Sequence, residues 1–294
     1  MTPFALLLVA VQASPPAPDS SLAARIAARI AAAPARAVGV YYRDLTTGDS
    51  LLVGARLRFH AASTMKVPVM IQLFRDRDAG RLTLDDSIPI TNTFKSIVDS
   101  SPYSLDKSDD SDSTLYLRVG GKGTIRELVE LMETVSSNLA TNLLIAEVEA
   151  PRANATAHAL GADSILVLRG VEDGVAYRAG RNNTTTARDL GMLLAAIAQN
   201  RAASAAACRE MLEILGRQHF TEGIPAGLPA GTHVYHKTGW IGQIVYHDAA
   251  IVERPDGRRY VLVVLTGGIQ KDEDAHQVVS DVSRMVWESG ATRR

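Results

Sequence analysis

The chain has 294 residues, 46% of them hydrophobic and 21% charged, enough apolar material for a large core and too much for wholesale disorder. Its formal net charge is −1, its isoelectric point lies near 6.7 and no basic run stands out, so electrostatics give no support to nucleic-acid binding. The single cysteine, Cys208, excludes an intrachain disulfide.

The opening MTPFALLLVAVQASPPAPDS carries an apolar run from Phe4 to Val11 and then a Pro-rich stretch. It reads as a short export signal, residues 1–13, cut after Ala13 and followed by a linker at 14–20. The run is too short to span a bilayer. Because Lys and Arg are missing before it, a frayed apolar N-terminus or a misplaced start codon is the competing reading. SLAARIAARIAAA repeats its apolar residues at helical spacing, and AVGVYYRDLTTGDSLLVG reads as a hairpin turning at Thr-Thr-Gly-Asp. HAASTMKVPVM follows, then a short strand in TLDDSIPIT.

From residue 92 to 123 the sequence is irregular and polar, with the acidic patch DKSDDSDS at 106–113. That patch lacks the alternating ligands, central Gly and closing Glu of an EF-hand loop, so a solvated surface loop is the expectation. Helical patterns then run through GTIRELVELMETV, SNLATNLLIAEV, PRANATAHAL, TARDLGMLLAAIAQN and AASAAACREMLEIL. In the last, Cys208 reads as a small buried filler. Two strands follow, HVYHKTGW and a hairpin folded at Pro-Asp-Gly, and a last helix over roughly 272–287. Strands, a block of helices, strands and a helix predict an α+β fold. The expected architecture is an antiparallel sheet from both chain ends (about 21–80 and 220–294) with an inserted helical lobe (about 81–219).

Three short signals occur in order: Ser63-Thr64-Met65-Lys66, Ser136-Ser137-Asn138 and Lys237-Thr238-Gly239. Each alone is weak, since S-x-x-K recurs by chance, SSN is also a good helix N-cap and K-T-G also suits a solvated edge strand. Together, in this order, they match the set S-x-x-K, S-D-N, K-T-G with Ser137 in the place of the aspartate. The chemistry fits the spacing. Residues three apart share a helix face, so Lys66 is expected to aim its ammonium at the Ser63 hydroxyl. A serine is a poor nucleophile until a base takes its proton, and a desolvated lysine near other positive charge can be that base. A helix N-terminus at Ser63 would also aim backbone N–H groups at a reacting carbonyl. Pro68 predicts an irregular first turn.

On these motifs the chain resembles the class A β-lactamase family over nearly everything after residue 20. SSNLATNLL, NTTTARDL and GLPAGTHVYHKTG add to the likeness. The resemblance implies that Ser63 is the nucleophile, Lys66 its base and Ser136 a proton relay to the leaving nitrogen. It implies that Asn138 binds the substrate's side-chain amide. Lys237 and Thr238 would hold its carboxylate, Gly239 would allow close approach, and the N–H groups of Ser63 and Trp240 would form the oxyanion hole. Glu172 would be the base for deacylation.

The family's Glu-x-x-Leu-Asn continuation is missing, and Asn183 stands where an aspartate usually ties the loop to an arginine. Ser137 replaces the usual aspartate. No arginine follows K-T-G on the next strand, where Tyr246 and His247 lie.

The implied activity is a metal-free, cofactor-free serine β-lactamase, exported and monomeric, with a small β-lactam as its partner and no stable membrane insertion. A penicillin-binding D,D-peptidase or other acyl-serine hydrolase is one alternative. A sensor module that acylates without turnover is another.

Overall fold

Two cores lie on opposite sides of one sheet, and strand alternation feeds both. In the computed structural model, residues 21–291 are described; the expected export signal and linker lie outside them. The sheet strands are β1 (Ala37–Asp44), β2 (Ser50–Val53), β3 (His233–Ile241), β4 (Val245–Glu253) and β5 (Arg259–Gly267), ordered β2-β1-β5-β4-β3 and antiparallel throughout. On β5, Val261, Val263 and Leu265 enter one core while Tyr260, Leu262 and Val264 enter the other. Side chains alternate across a strand, so a strand buried on both faces reads as a continuous apolar run, as YVLVVL does.

The smaller core is closed by α1 (Leu22–Ala31) and α9 (Asp272–Ala291), which pack on each other; α9 also lies against β4 and β5. α9 runs four residues beyond the expected Trp287. The larger core holds α2 (Lys66–Asp78), α3 (Ile125–Thr134), α4 (Asn138–Val148), α5 (Ala150–Ala159), α7 (Ala187–Ala198) and α8 (Ala205–Leu215). Cys208 on α8 is a free, buried thiol packed there.

Two helices cross the boundary expected from sequence. Chain position groups α2 with the sheet, yet it packs against α3, α4, α5 and α8 as the central helix of the lobe, buried along nearly its whole length. Chain position groups α7 with the lobe, yet it lies on β1, β4 and β5. Most of each helix is buried, so neither presents the broad polar face that would mark its side of the molecule. A further short helix, α6 (Gly174–Arg178), has no counterpart among the expected elements; Asp173 caps it through a bond from the Ala176 N–H at 3.0 Å.

Candidate active site

A tight turn brings the first motif to the mouth of a cavity of about 970 Å³. Residues Ala62–Met65 form a 3-10 turn directly ahead of α2, with Ala62 at φ +45°, which is the irregular start that Pro68 predicts. Ser63 lines the cavity there. Gly239 on β3 lies against this turn. A Cβ at that position would stand 3.1 Å from Thr64 N and 3.2 Å from Ala61 O, a tight fit against backbone, so glycine lets the strand run this close without strain.

Lys66 is fully buried, but its ammonium does not go where the helical spacing alone suggested. Nζ donates to Ser136 O at 2.6 Å, Ser136 Oγ at 3.0 Å and Asn138 Oδ1 at 3.3 Å, with no hydrogen bond to the Ser63 hydroxyl. A buried ammonium needs acceptors. Ser136, held at φ +62°, turns its carbonyl toward it and supplies two of them. Lys237 is also fully buried, donating to the same Ser136 Oγ at 3.1 Å and to Thr238 O at 3.1 Å. Burial pushes Lys66 well below the ordinary lysine range; the nearby Lys237 adds to this, while Asp110 and Glu133 oppose it. Burial also lowers Lys237, against the pull of Glu133 and Asp248. Thr238 and Trp240 line the cavity, with the Trp240 indole N–H donating to Asp272 Oδ1 at 2.9 Å.

Ser137 is itself the N-cap of α4, its Oγ accepting from the Ala140 N–H at 3.3 Å, as the capping reading of SSN expects. A carboxylate that holds the start of α4 comes from another segment. Asp110 accepts the N–H groups of Asn138 (2.9 Å to Oδ1) and Leu139 (2.9 Å to Oδ2), and the Tyr116 hydroxyl donates to it at 2.9 Å. The expectation that 106–113 is only a solvated loop is therefore corrected: a carboxylate at the start of α4 satisfies two N–H groups that have no intrahelical partner. Asp112 of the same patch is buried too. In sequence nothing separates Asp110 from its acidic neighbours.

Glu172 also lines the cavity, beside Asn138, at φ +63°. The Asp106 N–H donates to its Oε2 at 2.9 Å, while no hydrogen bond of normal geometry reaches its buried Oε1. Burial raises its pKa; the Asp106 bond opposes this, and Asp109 and Asp110 add to it. The loop around it closes where Leu166 bridges Thr184, next to the pairing of Phe59–His60 with Thr184–Thr185. Asn183 replaces a charged tie with three neutral bonds. Its Oδ1 accepts from the N–H groups of Leu168 (2.7 Å) and Arg169 (3.0 Å), and its Nδ2 donates to Arg169 O (2.9 Å). Arg169 turns to Gly170 O and Asn182 Oδ1 instead.

Asn142 on α4 clamps the residue before Glu172. It accepts the Val171 N–H at 2.6 Å and donates to Val171 O at 3.0 Å. Its signal was in the sequence, four residues after Asn138 and so on the same helix face. Of the pair noted in place of an arginine, Tyr246 lines the cavity, whereas His247 points the other way and is fully buried, bonded to His60 O at 2.9 Å. Among the described residues no cluster of three or more His, Cys, Asp or Glu is arranged to hold a metal, and no helix is long and apolar enough to cross a membrane.

Comparison with known proteins agrees with this geometry. The model of the Beta-lactamase enzyme family matches residues 21–289. A β-lactamase of Bacteroides uniformis is 26% identical over 254 residues, 82% of each chain. Among solved structures, PBP-A is 29% identical with TM-score 0.79, covering 95% of this chain and 98% of its own. A β-lactamase from Sphaerobacter thermophilus is 27% identical with TM-score 0.79, covering 93% and 98%.

Proposed function

Because the chain belongs to the beta-lactamase enzyme family, we propose that it opens the β-lactam amide through an acyl-enzyme on Ser63 and releases the product by hydrolysis. The observation that carries the reading is the convergence of two fully buried lysines on Ser136 Oγ, in the wall of the cavity that Ser63 lines.

In acylation, Ser63 Oγ attacks the amide carbonyl and its proton passes to Lys66, held neutral by burial and by the charge of Lys237. Lys66 hands a proton on to Ser136. A hydroxyl has two lone pairs and one hydrogen. With both lone pairs taken by the lysines, its O–H is the group left to give to the leaving nitrogen as the C–N bond breaks. Lys237 and Thr238 hold the substrate carboxylate, Asn138 its side-chain amide, and the N–H groups of Ser63 and Trp240 the oxyanion.

In deacylation, Glu172 takes a proton from water as that water attacks the ester, and the proton is returned to Ser63 Oγ as the C–O bond breaks, which restores both groups. A carboxylate raised by burial is a stronger base for this step than an exposed one. A 29% identical solved structure, a mutant of PBP-A, is an acyl-enzyme complex with penicillin G, which supports the covalent first half.

Purified protein mixed with nitrocefin should turn over many equivalents, and a penicillin should leave a transient mass adduct on Ser63 that is absent from Ser63→Ala. A single stoichiometric burst would give the site to a penicillin-binding or sensor role; an adduct elsewhere would remove Ser63 from it. The reading also has the chain exported and monomeric. Protein from a periplasmic fraction should then begin near Ser14 and elute at the mass of one chain, and an intact Met1 on cytosolic protein would argue against export.

A further inference from the structure

Behind the two lysines lies an ionisable group that the chemistry above does not use. Glu133, on α3 and three residues before Ser136, is only 1% exposed. Neither of its carboxylate oxygens has a hydrogen-bond partner among the described residues. The end of α3 that carries it is fixed: Gln218 Nε2 donates to Glu133 O at 2.7 Å and the His219 N–H to Thr134 O at 3.0 Å. A carboxylate buried with no donor is costly to ionise unless cations face it.

Two fully buried lysines act on it through space, Lys237 of β3 and Lys66 of α2, and both end on the hydroxyl of Ser136, three residues further along the chain. The neighbouring charges have other partners. Glu130 on the same helix pairs with Arg217, and Glu210 of α8 with Arg77 and Arg126. Asp110 acts on Lys66 from the 106–113 segment, and Asp248 on Lys237 from β4, where it is also bonded to His236. Burial raises Glu133 while Lys237 and then Lys66 draw it down. In return Glu133 favours the charged form of each lysine.

We propose that Glu133 is the counter-charge of the lysine pair: ionised, it keeps a proton on Lys237, whose charge in turn disfavours a second proton on Lys66, so that the three buried groups sum to zero. Without it, the two amines that share one hydroxyl oxygen keep only Asp110 and Asp248 as carboxylates acting on them, and Asp248 is already bonded to His236. Lys237 then loses its proton within the working pH range, and with it the charge that would hold a substrate carboxylate. Glu133 touches neither substrate nor reacting atoms, so it is a positioning residue acting through the lysines. The proposal rests on the roles given above to Lys66 and Lys237, and its test is arranged to fail separately from them.

The parent, Glu133→Gln and Glu133→Asp proteins are prepared with lysine labelled with carbon-13 at Cε, and the buried lysines are titrated by NMR. The rate of acylation by nitrocefin is followed across pH in parallel. An opposite charge at close range is worth about one pH unit or more. In Glu133→Gln, both buried lysine titrations and both limbs of the acylation profile should therefore move toward acid by about that much. Glu133→Asp keeps the charge and should stay near the parent. A merely structural glutamate would change the melting temperature and leave the titrations in place. Buried lysine titrations in Glu133→Gln that coincide with the parent within about 0.2 unit overturn the proposal. If the protein does not acylate but the titrations shift, the counter-charge stands and the catalytic reading falls. If Glu133→Gln does not fold, Glu133→Leu, which replaces the buried charge by an apolar group of similar volume, is measured in its place.

Discussion

The two walls of the cavity are held by different physics. On the side of Ser63, Lys66, Ser136 and Lys237, two amines are fully buried, each shifting the proton affinity of the group it neighbours, and both end on the same hydroxyl. On the side of Glu172, neutral amides do the holding, with Asn183 and Asn142 each gripping loop backbone at both donor and acceptor. Charge placement tunes proton affinity over several ångströms, whereas amide bonds fix position and leave charge alone. The first wall is therefore built to set which amine carries a proton, and the second to set where one carboxylate stands.

The largest expected effect separates the two half-reactions that these walls serve. Glu172→Gln keeps size and hydrogen bonding while removing the base. Acylation should survive, and hydrolysis of the acyl-enzyme should slow by roughly 10²–10⁴-fold, the range for losing a general base. A stable adduct on Ser63 should accumulate, read by mass spectrometry. Wild-type turnover in this variant would move the base elsewhere, and Asp173 would be tested next. On the opposite wall, Lys237→Ala should cost about 2–4 kcal/mol in kcat/KM, roughly 30- to 900-fold, if its charge is a desolvated partner of the substrate carboxylate. Its deacylation rate should change little. A large fall in melting temperature with kinetics intact would make Lys237 a structural residue.

The same contrast decided what could be read from sequence. Motifs of fixed spacing delivered the charged wall, because S-x-x-K and K-T-G name both the residues and the elements that carry them. They did not deliver the direction of Lys66, which follows the acceptors offered by Ser136 rather than the helical spacing to Ser63. The amide wall was legible only as an irregularity. Asn183 looked like a missing tie because the familiar one is an ion pair, and its three bonds go to backbone atoms that no side-chain pattern encodes. Asp110 was hidden in a run of acids, and the function of one member depends on where the loop lands. Strands and most helices followed from apolar periodicity. α6 escaped it because a five-residue helix is too short to show a period.

If the amide wall only positions Glu172, loosening it should touch deacylation and stability but not the lysines. Asn183→Ala removes three buried bonds and leaves loop N–H groups unpaired, which should cost about 1–3 kcal/mol of stability. Deacylation should slow about tenfold or more through misplacement of the base, with acylation nearly unchanged. Asn183→Asp sharpens the point. It restores a carboxylate but loses the donor to Arg169 O and sets negative charge against that carbonyl, so it should not outperform the parent. Equal slowing of both half-reactions in Asn183→Ala would mean that the walls are not independent.

Asp110 is where the two walls meet, and it predicts the smallest effect. Its carboxylate caps α4 through the Asn138 and Leu139 N–H groups, and its charge reaches both Lys66 and Glu172. Asp110→Asn keeps an acceptor for the cap and should cost only about 1 kcal/mol of stability. The pH effect has a definite sign. A nearby negative charge raises the pKa of the lysine and of the glutamate alike, so removing it lowers both. Lys66 must be neutral to accept the Ser63 proton, so its lower pKa moves the acid limb of acylation to lower pH. Glu172 must be ionised to accept the proton of water, so its lower pKa moves the acid limb of deacylation the same way. Both half-reactions of Asp110→Asn, measured separately by burst and steady-state kinetics, should keep activity at slightly more acid pH than the parent, by a fraction of a unit. A shift of one limb alone would show that Asp110 belongs to one wall only, and a shift toward alkali would mean that its charge is not what these groups feel.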